Sequence, residues 1–87
     1  MFAWEGVTEF VAVAETESFT QAAKRLGIST AQVSRQVSAL EARLATQLFH
    51  RTTRKVSVTE TGQIYFQHCR QVLDALEDAE RAISNLQ

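Results

Sequence analysis

Between Ser18 and Leu44 the chain carries two helix-start signals only eleven residues apart, and that spacing leaves few ways to fold. Ser18 with Gln21, and Ser29 with Gln32, are S-x-x-Q boxes, in which a hydroxyl and a glutamine side chain satisfy orphan amides at a helix start. Gly27 suits the left-handed position just past a helix end. The pattern therefore predicts one helix stopping near Leu26 and a second beginning near Thr30, joined by the turn Gly27-Ile28-Ser29. A turn that short with an apolar residue inside it makes the helices cross steeply and bury Ile28 between them, as in a helix-turn-helix unit spanning about residues 19–38. Ala22 and Ala23 permit that close approach.

The second helix sorts its residues by side. At about 100° per residue, Val33, Val37, Leu40 and Leu44 fall within about 60° of one another and form a core stripe. The opposite face is Ala31, Arg35, Ser38 and Ala42, with Thr30, Gln32 and Ser34 flanking its N-terminal end. A solvated face normally carries several long charges. Three small residues around a single arginine make a face that can lie against something flat and polar, and an ordinary solvated face is the plainer alternative.

Charge points the same way once its distribution is counted. The net charge is −1, yet residues 1–17 hold four acids and no base, and residues 60–87 hold five acids and two arginines. From Ser18 to Thr59, Lys24, Arg25, Arg35, Arg43, Arg51, Arg54 and Lys55 stand against Glu41 alone. A local excess of positive charge beside the turn is the footprint expected for phosphate contacts, and the acidic remainder limits indiscriminate binding.

The flanking segments read as supports. Trp4, Val7, Phe10, Val11 and Ala14 recur at helical spacing, predicting a helix over residues 3–16 with Trp4 and Phe10 in the core. After Leu44 the period changes. Leu48–Arg51 and Lys55–Val58 look like two short strands with Thr52-Thr53-Arg54 at the tip, which is a wing. Arg54 at the tip, bracketed by Arg51 and Lys55, is placed to reach a DNA backbone or minor groove; the alternative is a solvated hairpin whose charges protect short strands from pairing at their edges.

Thr59 can cap the next helix, and no Gly or Pro interrupts the chain between Gln63 and Gln87. At 1.5 Å per residue such a helix spans about 40 Å, longer than the rest of the domain needs. Tyr65, Cys69, Val72, Leu76, Ala79, Ile83 and Leu86 follow at alternating spacings of four and three, a heptad seam for dimerisation. Phe66 and Leu73 add a second apolar face in the first half only. That half can pack on the body, while the second half has only the seam to bury and calls for a partner helix; a single exposed helix is the alternative.

Length and composition exclude several classes. A chain of 87 residues with 45% hydrophobic content supports one modest core. Cys69 is the lone cysteine, and His68 points about 100° away from it on a helix, so no disulfide, metal or cofactor is expected. No apolar run approaches the roughly 20 residues of a membrane span, and no secretory leader is present, so the expected location is the cytoplasm. Catalysis would need an acid paired with a base, a partnered nucleophile or a phosphate-cradling glycine loop. Gly6, Gly27 and Gly62 are far apart, and a non-enzyme is expected.

With those residues read, the chain resembles the N-terminal DNA-binding domain and linker helix of a LysR-type transcriptional regulator. The resemblance rests on Phe10 and Val13, Ser18-Phe19-Thr20 with Ala22-Ala23 and Leu26, Val33-Ser34-Arg35, Leu40-Glu41, Leu48-Phe49 with Arg51, Arg54, and Thr59 with Gly62. It implies a mainly α fold: a winged helix-turn-helix domain over residues 1–59, of three helices and a two-stranded wing, then a linker and dimerisation helix over 60–87. In that family the helix matching residues 30–44 enters the major groove of double-stranded DNA, the wing touches the minor groove, and linker helices pair two subunits on inverted half-sites. The family's effector-binding domain, which takes a small molecule, has no counterpart here, implying a fragment or a truncated relative of a bacterial, nucleoid-bound regulator.

The departures fall at informative places. Many members have Ser-Gln-Pro-Ala at the start of the recognition helix, whereas this chain has Ser29-Thr30-Ala31-Gln32, so the usual glutamine contact has no counterpart at Thr30. Ala45 stands where the family often has a helix-ending glycine, and Val58 replaces a common leucine. The expected DNA-contacting residues are Thr30, Ala31, Gln32, Ser34, Arg35, Ser38, Arg51, Arg54 and Lys55. Against sequence-specific DNA binding stands a second reading, a winged helix used for protein interaction or dimerisation.

Overall fold

In the computed structural model, which describes residues 4–52 and 55–87, three hydroxyl groups start three of the helices. Ser18 accepts from the Gln21 amide at 3.1 Å, Ser29 from Gln32 at 3.0 Å, and Thr59 from Gly62 at 3.0 Å. The elements in order are α1 (Val7–Thr16), α2 (Phe19–Leu26), α3 (Thr30–Leu44), β1 (Phe49–Arg51), β2 (Val56–Val58) and α4 (Glu60–Ser84). This is the mainly helical, winged helix-turn-helix architecture with a long terminal helix. The strands pair antiparallel with Phe49 opposite Val58, His50 opposite Ser57 and Arg51 opposite Val56. Thr53 and Arg54, the expected tip, lie outside the described residues; Thr52 closes the hairpin base, its hydroxyl donating to the Lys55 carbonyl and accepting from the Lys55 amide.

Helix α1 begins later than its apolar spacing suggests. Trp4 to Gly6 form a turn, and Gly6 at φ 84° occupies the left-handed region just before Val7. A Cβ on Gly6 would lie 2.9 Å from the Gln36 carbonyl oxygen and 3.0 Å from the Leu40 Cβ, so its bare backbone lets the start of α1 approach α3. This corrects the placement of Trp4: it precedes the helix and is 52% exposed rather than part of the core.

Helix α2 ends as expected, with Gly27 left-handed at φ 71° and the Ile28 amide donating to the Ala23 carbonyl. Ile28 is half-buried against the core. Helix α3 ends on Ala45, which is held at φ 55° without being glycine. The left-handed region costs an L-residue about 1 to 2 kcal/mol, of which glycine would recover part and lose part to its freer unfolded chain. Ala45→Gly is therefore expected to stabilise the fold by about 0.5 to 1 kcal/mol. Thermal denaturation at fixed protein concentration checks this, and a lowered melting temperature contradicts it.

The core centres on Phe10, which is fully buried. Its ring lies 5.3 Å from Phe49, 5.4 Å from Tyr65 and 6.5 Å from Phe66, so α1, β1 and α4 converge on one side chain. Phe49, Val13, Val33, Val37, Leu40 and Leu48 are likewise among the largest fully buried side chains. The start of α4 is locked to the segment before β1: the Leu48 carbonyl accepts from the Thr59 amide, and the Thr59 and Thr61 hydroxyls both donate to the Gln47 carbonyl. Beyond Leu73 every residue of the chain is exposed. No helix among the described residues is long and apolar enough to cross a membrane.

Candidate nucleic-acid interface

Packing of Val33, Val37 and Leu40 into the core turns the other side of α3 outward. Thr30, Ala31, Gln32, Ser34, Arg35 and Ser38 are all exposed, so the structure brings six of the nine expected contact residues onto one surface. Only the forward half of the Ser29-Gln32 box forms: the hydroxyl accepts from the Gln32 amide, and among the described residues the Gln32 side chain has no hydrogen bond back to Ser29. Gln32 thus keeps its amide group for an external partner. Arg35 at the centre of the face makes no ion pair among the described residues.

The basic stretch separates into engaged and unengaged groups. Arg25 pairs with Glu15, which also receives Arg70 at 3.1 Å. Arg70 in turn reaches Asp74 at 2.8 Å and Glu77 at 3.1 Å, and its hydrogen bond to Asp74 is the leading reason its proton is held more tightly than usual. Arg43 lies beside the Tyr65 hydroxyl, whose pKa is raised first by burial, with the guanidinium opposing that rise. Lys24, Arg35 and Lys55 have no ion pair among the described residues. The unengaged positive charge is therefore narrower than a residue count implies, and it is spread over α2, α3 and the wing.

Glu41 is the group whose packing sequence reasoning did not foresee. It is 9% exposed and accepts from the Leu48 amide at 2.8 Å, the Phe49 amide at 3.3 Å and the Arg51 guanidinium at 2.8 Å. The Arg51 guanidinium carbon also stands 5.4 Å from the centre of the Phe19 ring. Arg51 is thus anchored on the protein side while its side chain stays 39% exposed. The available signal was a single acid inside a run of bases; its partners were not readable because they follow a turn and a change of element.

Along α4 the seam divides. Tyr65 and Cys69, expected at a dimer seam, pack instead on the body of the same chain, because this part of the helix lies against α1 and Phe10 takes Tyr65 as a ring neighbour. Burial also pushes the Cys69 thiol up, leaving it a neutral packing group. The later positions differ: Val72 is 45% exposed, Leu76 48%, Ile83 62% and Leu86 88%, and Ala79 is exposed too. Beside Val72 an open apolar cleft of about 270 Å³ is lined by Trp4, Val7, Tyr65, His68, Cys69 and Val72.

Comparison with known proteins places this geometry. Residues 4–63 match the family model for the bacterial regulatory helix-turn-helix protein, lysR family. An HTH-type transcriptional regulator of Xanthomonas campestris pv. campestris is 47% identical over 78 residues, covering 90% of this chain and 23% of that relative. The crystal structure of the BenM DBD with catB site 1 DNA superposes with a TM-score of 0.87 at 33% identity, covering 93% of this chain and 91% of that one. The CbnR DBD–DNA complex gives 0.80 at 32% identity, covering 94% and 95%. The chain spans 23% to 54% of the length of the curated relatives it matches.

Proposed function

The chain belongs to the lysR family of bacterial regulatory helix-turn-helix proteins, and from that premise we propose that it is the sequence-specific, double-stranded-DNA-binding part of a transcriptional regulator. The observation that carries the reading is the outward face of α3, where Thr30, Ala31, Gln32, Ser34 and Ser38 surround an Arg35 that has no ion pair among the described residues. Small polar side chains let a helix sit deep in the major groove, and an arginine there can donate two bonds to the O6 and N7 of guanine. Thr30, Ala31, Gln32, Ser34 and Ser38 line the groove contact, Arg35 reads a base, and Arg51 and Lys55 at the wing meet phosphates; Arg54 is assigned the tip contact on sequence grounds.

Residues 1–59 form the DNA-binding domain in this reading, and residues 60–87 a linker helix that pairs two copies through Val72, Leu76, Ala79, Ile83 and Leu86. Two-fold pairing makes the target a pair of inverted half-sites. Any small-molecule effector acts through a domain outside this chain, and the site of action is the bacterial cytoplasm, on the nucleoid. The chain is read as a regulator rather than an enzyme, in keeping with the transcriptional regulators it matches.

The test is selection of bound duplexes from a random pool, followed by titration of the selected and a scrambled duplex at several salt concentrations. Arg35→Ala is expected to cost about 1 to 3 kcal/mol on the selected site and to relax preference at one base pair per half-site. Lys55→Ala should instead weaken both duplexes alike and make the salt dependence shallower by about one phosphate contact. No enrichment over random competitor defeats the reading in favour of a protein-interaction module. Equal weakening of both duplexes by Arg35→Ala reassigns that residue to the backbone.

A further inference from the structure

Glu41 is the buried charged side chain among the described residues, and it sits within a stretch whose other charges are all positive. A carboxylate so close to a surface meant for a polyanion opposes binding by simple Coulomb repulsion. Its geometry offers a compensating role. One carboxylate oxygen receives the two consecutive amides of Leu48 and Phe49, where the chain enters β1, and the other receives Arg51 at the end of the same strand. Glu41 lies in the last turns of α3, so this one side chain fastens the wing strand to the helix that carries the outward face.

Arg51 is held from a second side as well. Its guanidinium lies over Phe19 at the start of α2, and the Phe19 ring packs at 6.0 Å against Phe49. A guanidinium carries five N–H donors in a rigid fork. The ion pair to Glu41 uses one edge, and the arginine side chain remains 39% exposed. A planar cation backed by a carboxylate and resting on a ring keeps its open donors in one direction, which suits a phosphate approaching from the solvent side.

Building on the DNA-binding reading, we propose that Glu41 is a positioning residue for backbone recognition: it fixes Arg51 and the foot of the wing relative to α3, so that Arg51 meets a phosphate as a preset fork rather than a mobile charge. The sign of one substitution separates this from the alternatives. Glu41→Gln keeps an amide oxygen to accept from Leu48 and Phe49 but removes a negative charge, so electrostatics alone predicts tighter binding to every duplex. Positioning predicts the reverse.

The experiment is fluorescence anisotropy of a labelled duplex selected from a random pool and of a scrambled duplex, over a range of salt, with circular dichroism to verify folding. Glu41→Gln is expected to weaken both complexes roughly tenfold, the loss of about one charge-assisted hydrogen bond. The slope of log affinity against log salt should become shallower by about 0.9, equivalent to one phosphate contact. Arg51→Lys, which preserves the charge and loses the fork, is expected to do the same, and Glu41→Asp to recover part of the loss. Unchanged or tighter binding by Glu41→Gln, or an unaltered slope, overturns the proposal. Should Glu41→Gln not fold, Arg51→Lys decides, and wild-type affinity in that variant overturns it equally. A wild-type chain with no salt-dependent duplex binding removes the DNA-binding reading and this inference together, whereas wild-type binding with indifferent variants removes only the inference.

Discussion

Gly62→Ala is expected to destabilise the fold by about 3 kcal/mol, although helix propensity alone favours alanine over glycine by about 1 kcal/mol. Gly62 is buried in the first turn of α4, and a Cβ there would come within 2.1 Å of the Leu48 carbonyl oxygen, 3.0 Å of its carbon and 3.3 Å of its Cα. All three are backbone atoms, so no change of rotamer relieves the overlap. Moving Leu48 away disturbs its carbonyl, which accepts from the Thr59 amide, and its amide, which donates to Glu41. At about 4 to 8 °C per kcal/mol for a domain of this size, the melting temperature should fall by roughly 12 °C or more. Gly27→Ala is the matched control: nothing lies within 4 Å of its would-be Cβ, and only the left-handed backbone at φ +71° resists. It should cost about 1 kcal/mol. Equal losses in the two variants would show that the approach of α4 to Leu48 is not what makes Gly62 necessary.

The contrast between those glycines reflects what a sequence can convey. Gly27 was readable because its role is local: a helix ends, and the next residue turns left-handed. The same holds for Ser18, Ser29 and Thr59, each of which caps an amide three residues away. The core stripe and the outward face of α3 follow from angular position on one helix, and both were placed correctly. Trp4 lies outside the core because the apolar period does not extend through Gly6, which is left-handed at φ 84° and packed against the Gln36 carbonyl. Tyr65 and Cys69 continue the heptad faithfully, but a heptad does not say which neighbour covers it; α1 covers these two, whereas Ile83 and Leu86 stay 62% and 88% exposed among the described residues. The pairs of Arg51 with Glu41 and of Arg70 with Glu15 lie ten and 55 residues apart. Such partners are set by how elements pack, and no local period encodes them.

The exposed half of the α4 seam carries the largest expected effect on binding. Leu76 is 48% exposed, at the edge of an open cleft that Val11 and Leu26 also line. A glutamate there meets solvent in a single chain and an apolar seam in a pair, so Leu76→Glu should leave the fold intact and produce a monomer in sedimentation velocity. Its consequence for DNA follows from effective concentration: two linked modules gain about 10²- to 10⁴-fold over one when both sites are within reach. Leu76→Glu is therefore expected to lose roughly that factor on a duplex with two inverted half-sites, while a duplex carrying one half-site is bound about as well as by the unaltered chain. An unaltered chain that stays monomeric at high micromolar concentration refutes the seam. A monomeric variant that still binds the two-site duplex with full affinity refutes instead the link between pairing and DNA, because each recognition helix would then be acting alone.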